Sequence, residues 1–250
     1  MTVVAAGPEA ALLALLVAGH LLGDFALQSE RMAEGKRRRR YLVPHVGLVA
    51  LTHLALIVPL FSWSIAGIVL VVALSHGLID LIKARGSRER AHGLGAFLVD
   101  QVAHIAVLLL AWAVIVHWIG LPEPRLSETG LHIFVSAALV AGAFAFNATG
   151  GATLVSGVLA LHAAGLEDDE GTPGSGRLIG ILERTLGLIL VLVGQWAAIM
   201  ILVAAKSIAR FDELKDRRFS EYYLIGTLTS LLIVVIVGLA LLALIRPGLL

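Results

Sequence analysis

Three short stretches repeat one chemical spacing. His20-Leu21-Leu22-Gly23-Asp24 and His76-Gly77-Leu78-Ile79-Asp80 each set an imidazole four residues before a carboxylate, and Asp100-Gln101-Val102-Ala103-His104 carries the pair in reverse order. On a helix, residues four apart share one face, a turn apart. Imidazoles and carboxylates, in a chain with no cysteine, match zinc or another divalent transition metal. The metal-ligand candidates are His20, His53, His76 and His104. Asp24, Asp80 and Asp100 are candidate catalytic groups, acting as ligands, as acceptors that orient the rings, or as a base for water held by the metal. Two other readings use the same residues. One is a proton or cation relay; the other is interhelical hydrogen bonding, at about 0.6 kcal/mol per bond on average.

The elements that must hold these groups follow from composition. Of 250 residues, 58% are apolar and 15% charged, with a net charge of +1. Soluble domains carry about 45–50% apolar and about 25% charged residues, so a soluble enzyme, a disordered chain and a nucleic-acid binder are all excluded. A transmembrane helix needs roughly 20 apolar residues. The hydrophobic runs cover about 9–29, 42–61, 63–83, 95–118, 131–147, 151–164, 178–205 and 222–245, by that criterion. The expected fold is therefore all-α, a polytopic transmembrane bundle of about 7–8 spans. It divides into a four-helix half, 1–120, carrying the His/Asp cluster, and a second half, 130–250. The run 151–164 is short for a span, and Asn147-Ala148-Thr149-Gly150-Gly151 predicts a broken helix near 147–151.

Loop charge sets the orientation. Lys36-Arg37-Arg38-Arg39-Arg40, then Lys83, Arg85, Arg88 and Arg90, mark the first and third connections as cytoplasmic, which puts the N-terminus outside. No basic segment precedes the first apolar run, so no cleavable signal is expected. The stretch 206–221 is also basic and reads as a cytoplasmic helical linker with Glu213–Arg217 and Arg217–Glu221 pairs. Its side requires two crossings between residues 130 and 170, which favours eight spans over seven.

Depth then ties the ionisable groups together. Counted inward from the cytoplasmic ends, His20, His53, His76 and His104 lie roughly 10–16 Å deep, with the three aspartates about one turn nearer the cytoplasm. The reversed order in the fourth run is what one layer in antiparallel helices requires. A carboxylate at a span centre costs about 2.5–3.5 kcal/mol on insertion scales. Three of them cost more than helix association returns, which singles this layer out as a site. Further polar candidates are Gln28, one turn beyond Asp24, and His45, Gln101, Asn147, Glu183, Arg184 and Gln195. His92, His117, His132 and His162 read as loop or interface residues. Gly171-Thr172-Pro173-Gly174-Ser175-Gly176 lacks the Lys-Ser/Thr ending of a phosphate loop and follows four acidic residues.

These motifs resemble a bacterial membrane family known as domain of unknown function 3307. The likeness lies in Gly19-His20-Leu21-Leu22-Gly23-Asp24-Phe25 with Gln28, in His76–Asp80, and in Asp100-Gln101 with His104. It extends to Gly180–Arg184, Ala205-Lys206-Ser207, Glu213–Arg217 and Glu221–Thr227. The family brings no activity with it. In chemistry alone, the pattern is similar to intramembrane metal-dependent hydrolases of the ceramidase and adiponectin-receptor type. The expectation is an inner-membrane protein with a divalent metal, zinc by preference, acting as a hydrolase on a lipid or lipid-linked substrate reached from the inner leaflet. A proton- or cation-coupled transporter is the alternative. A non-catalytic membrane partner, whose basic loops attract anionic lipid at about 1 kcal/mol per residue, is the second. The bilayer is the expected partner, a homo-oligomer is compatible with the sequence, and nucleic acid is not expected.

Overall fold

The computed structural model describes residues 7–86, 93–162 and 175–245, and every regular element among them is helical. Arg88, Arg90, His92 and the acidic turn at 167–170 lie outside the described residues. The helices are α1 (Pro8–Phe25), α2 (Glu30–Gly35), α3 (Arg39–Leu56), α4 (Trp63–Arg85), α5 (Leu94–Val114), α6 (Glu128–Ala145), α7 (Gly151–His162), α8 (Ser175–Leu192), α9 (Trp196–Ala209) and α10 (Arg217–Ile245). Among the described residues, five segments are long and apolar enough to cross a membrane: Pro8–Phe25, Trp63–Arg85, Leu94–Ile119, Glu128–His162 and Arg217–Ile245. The described residues fall into two compact units, those within 1–145 together with 243–245, and those within 146–242.

In the first unit α1 is the centre, packed against α3, α5 and α6, while α4 packs against α3 and α5. Leu12, Leu15, Leu16 and Ala18 of α1 are fully buried. Small residues permit the close approach. A Cβ on Gly19 would stand 2.9 Å from His53 Cδ2, and one on Gly77 would stand 2.5 Å from Val46 Cγ2, so α3 meets α1 and α4 where each carries a glycine beside its histidine. The outer faces are apolar. Val71, Leu74, Leu78 and Ile82 form an exposed stripe on α4, while His76 and Asp80 on its other face are buried. That polarity is inverted relative to a protein in water, where a continuous exposed apolar stripe is unstable, and suits lipid.

Four expectations are corrected. First, α1 ends at Phe25, so Gln28 lies beyond the helix and does not continue the His20/Asp24 stripe. Second, the helix expected to break at 147–151 continues as Glu128–His162, with a π-turn at Phe146–Gly150. Third, the run 178–205 is two helices. Gly194 adopts φ 73°, Gln195 N–H bonds Leu190 O at 2.8 Å and Gly194 N–H bonds Val191 O at 3.0 Å, a glycine-terminated C-cap. The chain then doubles back, since Lys206 Nζ reaches Glu183 Oε2 at 2.7 Å; a straight helix would separate those two residues by roughly 34 Å. Fourth, 206–221 is no continuous helix: α9 ends at Ala209 and a 3₁₀ turn at Glu213–Lys215 precedes α10. Arg217–Glu221 does pair at 2.9 Å, whereas Glu213 pairs with Arg210 at 3.4 Å instead of Arg217.

Candidate metal centre

Three helices of the first unit converge on four ligand atoms: α1 supplies Asp24, α3 supplies His45, and α4 supplies His76 and Asp80. Asp24 Oδ1 lies 3.2 Å from His45 Nε2 and 3.1 Å from His76 Nε2. Asp80 Oδ2 lies 3.3 and 3.4 Å from the same two nitrogens, which are themselves 3.0 Å apart. All four side chains are buried.

The one well-formed hydrogen bond within this group joins the two imidazoles, Nε2 to Nε2, and ionised carboxylates bring no proton of their own. Asp24 Oδ1 and Asp80 Oδ2 have no well-formed hydrogen bond among the described residues. Asp24, His45 and His76 each offer a ligand atom within 4.8 Å of the others, and so do His76, Asp80 and His104; nitrogen and oxygen donors gathered this closely suit a divalent cation such as zinc.

Charged groups brace the carboxylates from behind. Lys36 Nζ donates to Asp80 Oδ1 at 2.6 Å, leaving Oδ2 to the quartet, and Lys83 Nζ donates to Asp100 Oδ2 at 2.9 Å. Arg37 donates to the carbonyls of Ala84 and Gly86, fastening the α2–α3 connection to the end of α4. With three aspartates, two lysines and neutral imidazoles, the cluster carries a net charge of −1, which burial disfavours and a cation offsets.

A second ring of residues stands beside the quartet. His20 Nε2 bonds Gln101 Oε1 at 3.1 Å, and Gln101 Nε2 donates to Asp100 Oδ2 at 3.3 Å. His104 Nδ1–H donates to Asp100 O at 2.8 Å, and His53 Nδ1–H to Val49 O at 2.9 Å. His20, His53, His76 and His104, with Val72, Val107 and Leu108, line a cavity of about 10 Å³, room for one water or one ion.

The four histidines proposed from sequence therefore do meet, around the cavity, but only His76 belongs to the tight quartet. Its other imidazole is His45. Asp24 and Asp80 enter the quartet directly, while Asp100 stands one layer out, on Lys83 and Gln101. Gln28 is half-buried outside this set. Lys36 and Lys83 were legible only as topology-setting charges; a lysine in a run of five cations carries no individual signal.

In the second unit the remaining candidates do structural work. Arg184 donates from Nε to Asn147 O at 2.8 Å and from Nη2 to Ala148 O at 2.9 Å, and Asn147 Nδ2 donates to Arg184 O at 2.7 Å. A π-turn misaligns carbonyls from their helical donors, and Arg184 takes up two of them. Glu183 is held by Lys206. Gln195 is exposed at the tip of the α8–α9 hairpin.

Residues 12–122 match the model of a family described as Protein of unknown function (DUF3307). The chain resembles that family over this segment. The match takes in the whole quartet, both lysines and the second ring. No curated protein and no solved structure matches the chain.

Proposed function

We propose that this chain is a multi-pass protein of a bacterial inner membrane whose working centre is an intramembrane divalent-metal site formed by Asp24, His45, His76 and Asp80. The observation that carries this reading is the quartet: four buried donor atoms on three helices, each imidazole nitrogen within 3.4 Å of both carboxylate oxygens, with those oxygens left without a well-formed hydrogen bond among the described residues. Two nitrogen and two oxygen donors without sulfur suit zinc.

The reaction supported best is hydrolysis. When bound, such an ion supplies a Lewis acid and lowers the pKa of an attached water to about 7. Lys36 holds Asp80 to a single free oxygen. Gln101 fixes the ring of His20, the backbone fixes His53 and His104, and the cavity between them admits one water-sized group. Val72, Val107 and Leu108 give the rest of the cavity an apolar lining. A lipid or lipid-linked substrate, entering from the inner leaflet, matches the lipid-facing helices that surround the site.

Topology supports the same side. With 128–162 as one crossing and the α8–α9 hairpin entering and leaving on one side, six crossings place every basic connection in the cytoplasm, in place of the seven or eight read from hydropathy; α3 is the sixth crossing. Trp63 and Trp118, both exposed, then sit at the outer interface, where tryptophan is favoured.

A second reading is favoured by one specific feature. Four protein ligands fill the coordination that a structural zinc takes, whereas catalytic zinc sites keep a position open; a closed site suits a cation carrier. Metal analysis of the purified protein tests the shared premise: wild type retains bound divalent metal and His45→Gln loses it. Wild-type protein that binds no divalent metal overturns both readings. Metal-loaded proteoliposomes then divide them, because ion flux that requires His45 replaces hydrolysis with transport.

A further inference from the structure

The quartet leaves part of the cluster unexplained. Asp24 commits Oδ1 to it, but its Oδ2 lies 3.9 Å from His20 Nδ1, too far for a hydrogen bond.

The protonation of His20 follows from its neighbours. Gln101 turns Nε2 toward the Asp100 carboxylate, so its Oε1 faces His20, and a carbonyl oxygen requires N–H on His20 Nε2. In the neutral ring Nδ1 is then a bare lone pair. The same logic applies to His104: Nδ1–H is spent on Asp100 O, and Nε2 is buried without a hydrogen-bond partner among the described residues. The two rings stack with centroids 5.0 Å apart and planes 22° apart. His20, Asp24 and His104 each offer a ligand atom within 4.8 Å of the others. Both rings also line the cavity of about 10 Å³.

His20 and His104 thus line one small space, each with a ring nitrogen free of a proton, and Asp24 brings a carboxylate oxygen within 4.8 Å of a ligand atom on each. Two imidazole lone pairs and a carboxylate are a donor set that a divalent cation takes.

We infer that the centre is dinuclear: a second divalent cation binds between His20, His104 and Asp24, and the Asp24 carboxylate bridges it to the ion of the quartet. This rests on the quartet being a metal site. Paired ions about 3.5–4 Å apart clamp both the attacking and the leaving oxygen in hydrolytic displacement. Two divalent ions turn the cluster's net charge from −1 to +3, so the substrate group drawn to it is anionic, a phosphate or carboxylate ester product included. The second position also supplies what the closed quartet lacks, coordination not filled by protein.

The test is ion stoichiometry. Full-length protein in detergent is stripped of metal, dialysed against Zn²⁺ and counted by elemental analysis. Wild type binds two equivalents; His20→Gln and His104→Gln each retain one. X-ray absorption of the loaded wild type shows a metal–metal vector at about 3.5–4 Å, absent from both variants. One equivalent in wild type, unchanged in both variants, overturns the second ion and leaves the quartet standing. Two equivalents that persist in both variants overturn it as well, since the second ion then sits elsewhere. No bound zinc in wild type overturns the quartet itself. The wild-type count needs no variant to fold.

Discussion

Lys36 Nζ lies 2.6 Å from Asp80 Oδ1 across 44 residues of sequence, with both side chains largely buried. A lysine from the most basic connection in the chain thereby reaches the carboxylate at the base of the quartet. It fixes one oxygen of Asp80 and supplies part of the positive charge that the cluster needs when no ion is bound.

Replacing that lysine tests the balance. Lys36→Met keeps the aliphatic stem and removes the charge, and breaking a buried pair from one side costs about 3–5 kcal/mol. The expected outcome is a lowered Tm for metal-free protein in detergent, with Zn²⁺ raising it by more degrees than in wild type because the ion also relieves the exposed repulsion between Asp80 and Asp24. Equal Zn²⁺ responses in the two proteins contradict this role.

Gly19 and Gly77 set how closely α3 can approach the two helices that carry His20 and His76. Gly77→Ala places a methyl against Val46 and Gly19→Ala one against the ring of His53; overpacking of this kind costs about 1–3 kcal/mol. Because α3 also carries His45, both variants should weaken zinc binding as well as lower Tm. Gly47→Ala is the control. It lies on the same helix with nothing near its Cβ position, and alanine there should raise stability by about 0.5–1 kcal/mol through helix propensity. Zinc titration followed by thermal melts separates the three.

In the second unit, Arg184→Met should leave the zinc count untouched while loosening the π-turn. The carbonyls of Asn147 and Ala148 lose their donor, at about 1–3 kcal/mol for each buried group left unpaired. Hydrogen exchange should rise across residues 146–150 and remain unchanged across residues 20–24. A loss of zinc in this variant would show that Arg184 serves the metal centre after all.

How far the sequence reveals this molecule depends on whether a residue acts through its own type or through its partner. His76 and Asp80 are visible because a helix fixes their relation at four residues, and Asp24 because a carboxylate in an apolar run has few innocent explanations. His45 escaped the ligand set because it sits near the start of its run, beside Pro44, where an imidazole at an interface is unremarkable; only the packing of α3 between α1 and α4 turns it inward. Asp100 and His104 share the spacing of the other pairs, yet Lys83 draws Asp100 outward and leaves His104 to the cavity. Helicity and the apolar spans follow from hydropathy alone. The course of 178–205 does not, because a single glycine in the left-handed region reverses the chain with almost no change in hydropathy.

That reversal makes the last prediction. If α8 and α9 form a hairpin that enters and leaves on one side, the connection at 210–216 shares a compartment with the 36–40 connection. A continuous span across 178–205 would set them on opposite faces. The chain has no cysteine, so single-cysteine variants report without background. Arg39→Cys and Asp212→Cys should both resist a membrane-impermeant maleimide in intact spheroplasts and react after permeabilisation. Glu123→Cys, on the connection after α5, should react in intact spheroplasts. Asp212→Cys labelling together with Glu123→Cys would show that the hairpin crosses, and the six-crossing topology would be wrong. Leu192 and Trp196 flank the turn at Gly194, and the hairpin arms are about 27 and 21 Å long at 1.5 Å per residue, shorter than the hydrocarbon core of about 30 Å. A tip of that reach stops inside the bilayer, so Gln195→Cys should stay unreactive to the impermeant reagent on either side and react with a membrane-permeant one.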